Sequence, residues 1–211
     1  MKLVCLANSW RPGGRCVAGI DLDTGQWVRP VPKNLKSVPD RFVHFGAHTL
    51  APLDVVEVEV TMPQSPTKYQ RENRVISSRQ WRLIEKLRPA QVLKFCDNST
   101  LVLHGSGKVV EPSVLDALHQ AQWKSLELRH LKRVAFAQDK RKPNHWTASF
   151  SSGAADYTLN VTCPVATEML NRGRKLPEEC LLTLSLTEPI AYPKFNLPDL
   201  CYKLIAAVVP L

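Results

Sequence analysis

The sequence lacks the short signatures of common catalytic machinery. It has no HExxH for a catalytic zinc, no GxSxG nucleophile elbow and no GxxxxGK(S/T) phosphate loop. The stretch HGSGK, His104 to Lys108, keeps two glycines and a lysine but not the rest of a phosphate loop, and it reads as a hairpin turn. His44 and His48 in HFGAH stand four apart, yet Gly46 between them and the nearby prolines favour a loop over a metal-binding helix. Asp21, Asp23, Asp54, Glu57 and Glu59 are the carboxylates that could be considered for a metal-dependent nuclease, and strand alternation accounts for the last two. No catalytic residue, metal ligand or cofactor is therefore expected.

Long apolar runs are also missing. None reaches the ~18 residues of a membrane helix, so no membrane partner is expected. The opening MKLVCLANSW has one lysine and a short apolar run, without a signal peptide's longer apolar segment or small-residue cleavage site. It reads as the first strand of a cytoplasmic protein. The six cysteines form no CxxC pair, and none has a histidine at metal-ligand spacing. They are expected to be reduced thiols, most of them buried. Glycine is scarce, nine residues against sixteen prolines, which favours rigid loops and bounded strands.

What the chain does have is positive charge in one place. The net charge is +9. Residues 66–146 hold sixteen basic and seven acidic side chains, while the segments on either side nearly balance. Lysine and arginine displace condensed counterions from phosphates, so this segment suggests a polyanionic partner. A solvated face plus a basic loop is the bland alternative.

Patterning reads β-rich, then two helices, then β-rich. Lys2–Ala7, Cys16–Leu22 and Trp27–Val31 read as strands, with Asp23-Thr24-Gly25 as a turn. In Leu53–Met62, Val56, Val58 and Val60 alternate with Glu57, Glu59 and Thr61, the period of a half-buried strand. SSRQWRLIEKLRP predicts a helix capped at Ser77 or Ser78 and stopped by Pro89, with Arg79, Arg82 and Lys86 on its polar face. EPSVLDALHQAQW predicts a second helix, and ATEMLNRG a short third ending at Gly173. Strands return in Leu126–Ala137, HWTASFSS, DYTLNVTCP, ECLLTLSLTEP and CYKLIAAVVP. The fold class is mainly β with a few helices (α+β). At 211 residues, one large domain or two small ones are expected.

A more specific signal lies in MKLVCLANSWRPGGRCVAGIDLDTGQWVRPV. Asn8, Ser9, Gly13, Gly14, Arg15, Cys16, Ala18 and Gly19, then Gly25, Trp27, Arg29 and Pro30, resemble the opening of the dual OB-containing domain family. In YQRENRVI, Gln70, Glu72 and Asn73 are similar to a second family stretch, with Arg74 where the family pattern has an aromatic residue. CYKLIAAVVP is similar to the family's last strand. The resemblance implies two OB-like β-barrels in tandem, here divided as residues 1–120 and 121–211. It also implies nucleic-acid or nucleotide binding in bacterial conflict or defence systems, beside a partner effector protein.

The residues support a binding surface of that kind. Trp10, Arg11 and Arg15 flank the Pro12-Gly13-Gly14 turn, and Trp27 and Arg29 stand two apart on one strand face. Aromatic rings stack bases and guanidinium groups hold phosphates. If the two ribbons pair, these residues share one surface; alternatively Trp27 is core and Arg15 and Arg29 pair internally with Asp21 or Asp23. Lys68, Arg71 and Arg74 add a phosphate track, and Lys140, Arg141 and Lys142, with Trp146 at the foot of their loop, add a clamp. The expected ligand is single-stranded nucleic acid or a nucleotide. Two other readings stay open: a hydrolase or nuclease of unrecognised type around Asp21 and Asp23, and an adaptor for an acidic protein.

Overall fold

The computed structural model describes residues 1–11, 13–33, 37–62, 67–77, 80–140, 142–192 and 197–211. Strands β1 (Lys2–Arg11), β2 (Gly14–Asp21) and β3 (Trp27–Val31) form an antiparallel meander. Gly13 and Gly25 take positive φ at its turns (+83° and +69°), where a side chain would be strained. Asp21 builds the second turn, accepting from the Asp23 amide at 3.2 Å and the Thr24 hydroxyl at 2.8 Å. The short hairpin of β4 (His44–Phe45) and β5 (His48–Thr49) follows, so both histidines lie in a turn region rather than on a helix.

Strand β6 (Asp54–Glu57) returns beside β1, and β7 (Val60–Thr61) continues it. Strand β8 (Asn73–Ile76) runs parallel to β3 and antiparallel to β7, while β9 (Arg82–Lys86) pairs with β6. Strands β6 and β7, and likewise β8 and β9, thus act as two interrupted strands. The first strand pairs with the second and the fourth, and the third runs parallel to the fifth. This Greek-key connectivity closes the sheet into an OB-like barrel.

The helix expected over 77–89 is not formed. Its described part carries β9, and Ser78 and Arg79 lie outside the described residues. Trp81 and Leu83 pack inward on the first barrel's core while Arg82 points outward to Glu57 at 2.8 Å. Those positions have strand period. The open edge of β6 supplies backbone partners that outweigh a helical spacing of Trp81, Ile84 and Leu87.

After two 3-10 turns (Pro89–Gln91 and Leu93–Phe95) come β10 (Val109–Val110) and α1 (Pro112–Asp116). The second expected helix is cut to this one turn. His119 restarts the chain as a cap for a 3-10 turn over Gln120–Gln122, and the Trp123 indole donates to the Leu115 carbonyl at 2.8 Å. The second barrel then repeats the first one's connectivity. Strands β11 (Leu126–Leu131) and β12 (Ala135–Gln138) together make a bent first strand. Strands β13 (Trp146–Ser152) and β14 (Ala155–Val161) follow, turned by Gly153 at φ +60°. Helix α2 (Pro164–Asn171) ends before Gly173, as expected from sequence. Strand β15 (Cys180–Leu186) pairs with β11, and β16 (Ile190–Tyr192) and β17 (Leu197–Pro210) complete the set. β17 lies antiparallel to β15 and parallel to β14. The fold is two OB-like barrels in tandem, mostly strand.

Strand β1 explains how the barrels join. It is buried on both faces. Leu3 and Cys5 point into the first barrel, and Val4 and Leu6 point out against the second. There Val4, Leu6 and Ile20 meet Leu128, Leu181 and Val209, each side chain contributing about 1.5–3 kcal/mol by leaving water. The Thr183 hydroxyl donates to the Leu6 carbonyl across this seam at 2.6 Å. All six cysteines are free; four are buried and Cys16 and Cys96 half-buried. No helix among the described residues is long and apolar enough to cross a membrane.

Candidate nucleic-acid interface

An OB barrel ordinarily offers ligands the outer face of its second and third strands, together with the loops between strands one and two and between strands four and five. Here the first barrel's outer face is spent. Ala18, Ile20 and Trp27 on β2 and β3 pack toward the second barrel. The second barrel's face, on β13 and β14, carries small polar groups instead. Ser149 bonds Thr158 at 2.9 Å and Ser151 donates to Asp156 at 2.6 Å, with neither a ring nor a cation among the exposed side chains of that face.

A sizeable cleft lies elsewhere. The first barrel's four–five loop and the segment leading into β11 face each other across a cleft of about 940 Å³. Trp27, Lys68, Arg71 and Arg74 line it, four residues singled out in the sequence. Trp123, Lys124, Met62 and the carboxamides of Gln26, Gln120 and Gln122 also line it. These were missed because they lie in a segment that reads as helix end and turn. Their one sequence signal is Trp123 beside Lys124 within the basic segment.

The cations of the cleft differ in how they are held. Lys68 pairs with Asp116 at 2.8 Å, and the hydrogen bonds of Asp116 and Tyr69 hold its ammonium above the ordinary lysine range. Lys124 pairs with Asp97 and lies 3.7 Å from Glu127. Arg71 and Arg74 donate to backbone carbonyls: Arg71 to Gln120 at 3.1 Å, Arg74 to Arg71 and Asn73 at 2.7 and 2.8 Å. Neither meets a carboxylate among the described residues, so their charge is open to an anion. The Trp123 ring is fixed by its indole hydrogen bond and by an edge contact with Tyr69 at 5.0 Å.

Arg29 is no surface residue; it lies behind Glu72 and Ser125, which line the inner end of the cleft. It is 3% exposed and pairs with Glu72, itself 9% exposed, at 3.1 Å. Its guanidinium also donates to the Ser125 hydroxyl at 3.0 Å, and Ser125 donates to Glu72. The internal partner is therefore Glu72 rather than Asp21 or Asp23. Gln70 reaches the Leu186 carbonyl at 3.5 Å and Asn73 bonds Thr67 at 2.9 Å. The Trp-x-Arg and Gln-x-Glu-Asn stretches, far apart in sequence, thus meet here and brace the two barrels.

The other sequence-selected residues do not join the cleft. Trp10 and Arg15 are cross-strand partners near the tip of the first hairpin, with the guanidinium 3.8 Å above the indole and Trp10 59% exposed. β3 pairs with β2 at Gly19 and Ile20, four residues farther down, so the two Trp–Arg pairs do not share one surface. Arg11 meets Glu188 of the second barrel at 3.8 Å. Lys140 and Lys142 are exposed on the loop before β13, and Arg141 lies outside the described residues. The Trp146 indole donates to Asn171 at 2.7 Å. No group of three or more His, Cys, Asp or Glu side chains among the described residues is placed to hold a metal ion.

The family model described as "Dual OB-containing domain" matches residues 1–208. No curated protein and no solved structure matches the chain. With the match covering nearly the whole sequence and both barrels carrying OB connectivity, the chain belongs to the dual OB-containing domain family.

Proposed function

We propose that the protein is a nucleic-acid or nucleotide-binding module whose ligand occupies the cleft between the barrels. The observation that carries this reading is the pair of guanidinium groups, Arg71 and Arg74, which meet no carboxylate among the described residues, in a cleft that also holds Trp27 and Trp123. Arginine forks take phosphate oxygens bidentately, and indole rings stack bases of any sequence. A single strand suits such a site better than a duplex, whose bases are already stacked. In the setting the family resemblance implies, the module serves a partner effector protein in defence or nucleic-acid processing.

The test is titration of a labelled single-stranded oligonucleotide against the protein and the double variant Arg71→Ala, Arg74→Ala. Hydrogen bonds to charged groups are worth about 1.5–3 kcal/mol, so each arginine should account for at least about tenfold in affinity. The slope of log K against log salt should flatten by about 1.4, since each phosphate contact on a single strand contributes ~0.7. Arg82→Ala, outside the cleft and paired with Glu57, serves as the control. Equal affinity and equal salt slope for wild type and double variant would remove the cleft from consideration.

A further inference from the structure

The cleft is blind at its inner end. Glu72 and Ser125 line its inner end and are buried, and the buried Arg29 lies behind them, bonded to both. Behind them the barrels are sealed together by Val4, Leu6 and Ile20 against Leu128, Leu181 and Val209. A chain that enters cannot leave through the far side. An inner end closed in this way suits a terminal nucleotide, which brings one stretch of backbone, better than an interior one, which brings two. The outer strand faces give a continuous strand no other track: one is covered, and the other exposes neither a ring nor a cation.

The charge and size of the cleft point the same way. A terminal phosphate monoester carries about −1.5 to −2 at neutral pH, more than a backbone diester. The guanidiniums of Arg71 and Arg74 match it. The volume of about 940 Å³ sits at the upper end of the range for small-molecule sites, ~300–1,000 Å³. The anchored Trp123 ring supplies a rigid stacking surface, and the Gln26 and Gln120 side chains bring amide donors and acceptors for a base edge, the Gln122 carboxamide oxygen being taken by the His119 amide. Resting on the nucleic-acid reading above, we infer that the cleft recognises one nucleoside phosphate bearing a terminal monoester, either a free nucleotide or the phosphorylated end of a single strand.

Competition binding tests this with the intact protein. The probe is a labelled single-stranded deoxyoligonucleotide. The competitors are the same oligonucleotide with a 5′ phosphate, with a 3′ phosphate, with neither, and ligated into a circle, together with AMP and UMP. The expected result is that at least one phosphorylated end, or a mononucleotide, competes about tenfold better than the unphosphorylated and circular strands. The advantage should vanish in the Arg71→Ala, Arg74→Ala variant. If the circle competes as well as every linear strand, recognition of an end is overturned while strand binding stands. If neither the probe nor a mononucleotide binds at all, the nucleic-acid reading itself is overturned.

Discussion

Arg29→Ala is expected to lower the stability of the protein by about 3–5 kcal/mol, the usual cost of stripping the partner from a buried charge. For a chain of 211 residues this is a fall in Tm of about 6–20 °C. The reason lies in what remains. Glu72, 9% exposed, would keep only the Ser125 hydroxyl as a partner. The loss falls on the wall between the barrels, because Arg29 and Glu72 belong to the first and Ser125 opens the second. Thermal melts of Arg29→Ala, Glu72→Met and the double variant Arg29→Met, Glu72→Met give the check. The double variant, with both charges gone, should be more stable than Arg29→Ala. If Arg29→Ala melts with wild type, the pair is not the brace described here. Weak ligand binding by Arg29→Ala would then not report a phosphate contact, since the guanidinium does not reach the surface.

That arginine shows where the sequence could be read and where it could not. Most strands were legible because their signals are local: alternation in Leu53–Met62, glycine turns at Gly25 and Gly153, and apolar runs bounded by proline. The helix over 77–89 misled because Trp81, Ile84 and Leu87 have helical spacing. The edge of β6 that captures the segment lies some 25 residues away in the chain. In the sequence a binding residue shows only its type, as tryptophan beside arginine or a cluster of cations. Type does not tell a guanidinium that grips a ligand from one that grips Glu72 across 43 positions. Trp27, Lys68, Arg71 and Arg74 line one cleft, and the register of β3 against β2 keeps Trp10 and Arg15 away from it. The opposite wall of the cleft escaped because a connector makes it, and no periodicity marks a connector.

The second large effect concerns Lys203, which is 2% exposed in the second barrel. Its ammonium donates to the Gly105 carbonyl and lies 5.3 Å from the Tyr157 ring centroid. Burial pushes its pKa down from 10.5 to about 8, with Glu127 opposing the shift. The folded protein therefore releases this proton near pH 8, while the unfolded chain holds it to about 10.5. Between those values the unfolded state binds more protons, so this group makes stability rise with pH. Below pH 8 the full cost of burying the charge is present, about 3 kcal/mol at 1.36 kcal/mol per unit. Lys203→Met removes that cost. The Gly105 carbonyl still accepts from the Tyr157 hydroxyl at 3.0 Å, so no buried acceptor is stranded. The variant is expected to melt about 6–12 °C above wild type at pH 7, and the advantage should shrink steadily from pH 8 to 10.5. Burial raises the thiol pKa of Cys180 and of Cys201 to about 11, and their titration bends both curves downward at high pH. The wild-type minus variant difference cancels that contribution and leaves the lysine. A variant less stable than wild type at pH 7, or a difference flat across that window, would mean that the ammonium is held at no cost and that its hydrogen bond dominates.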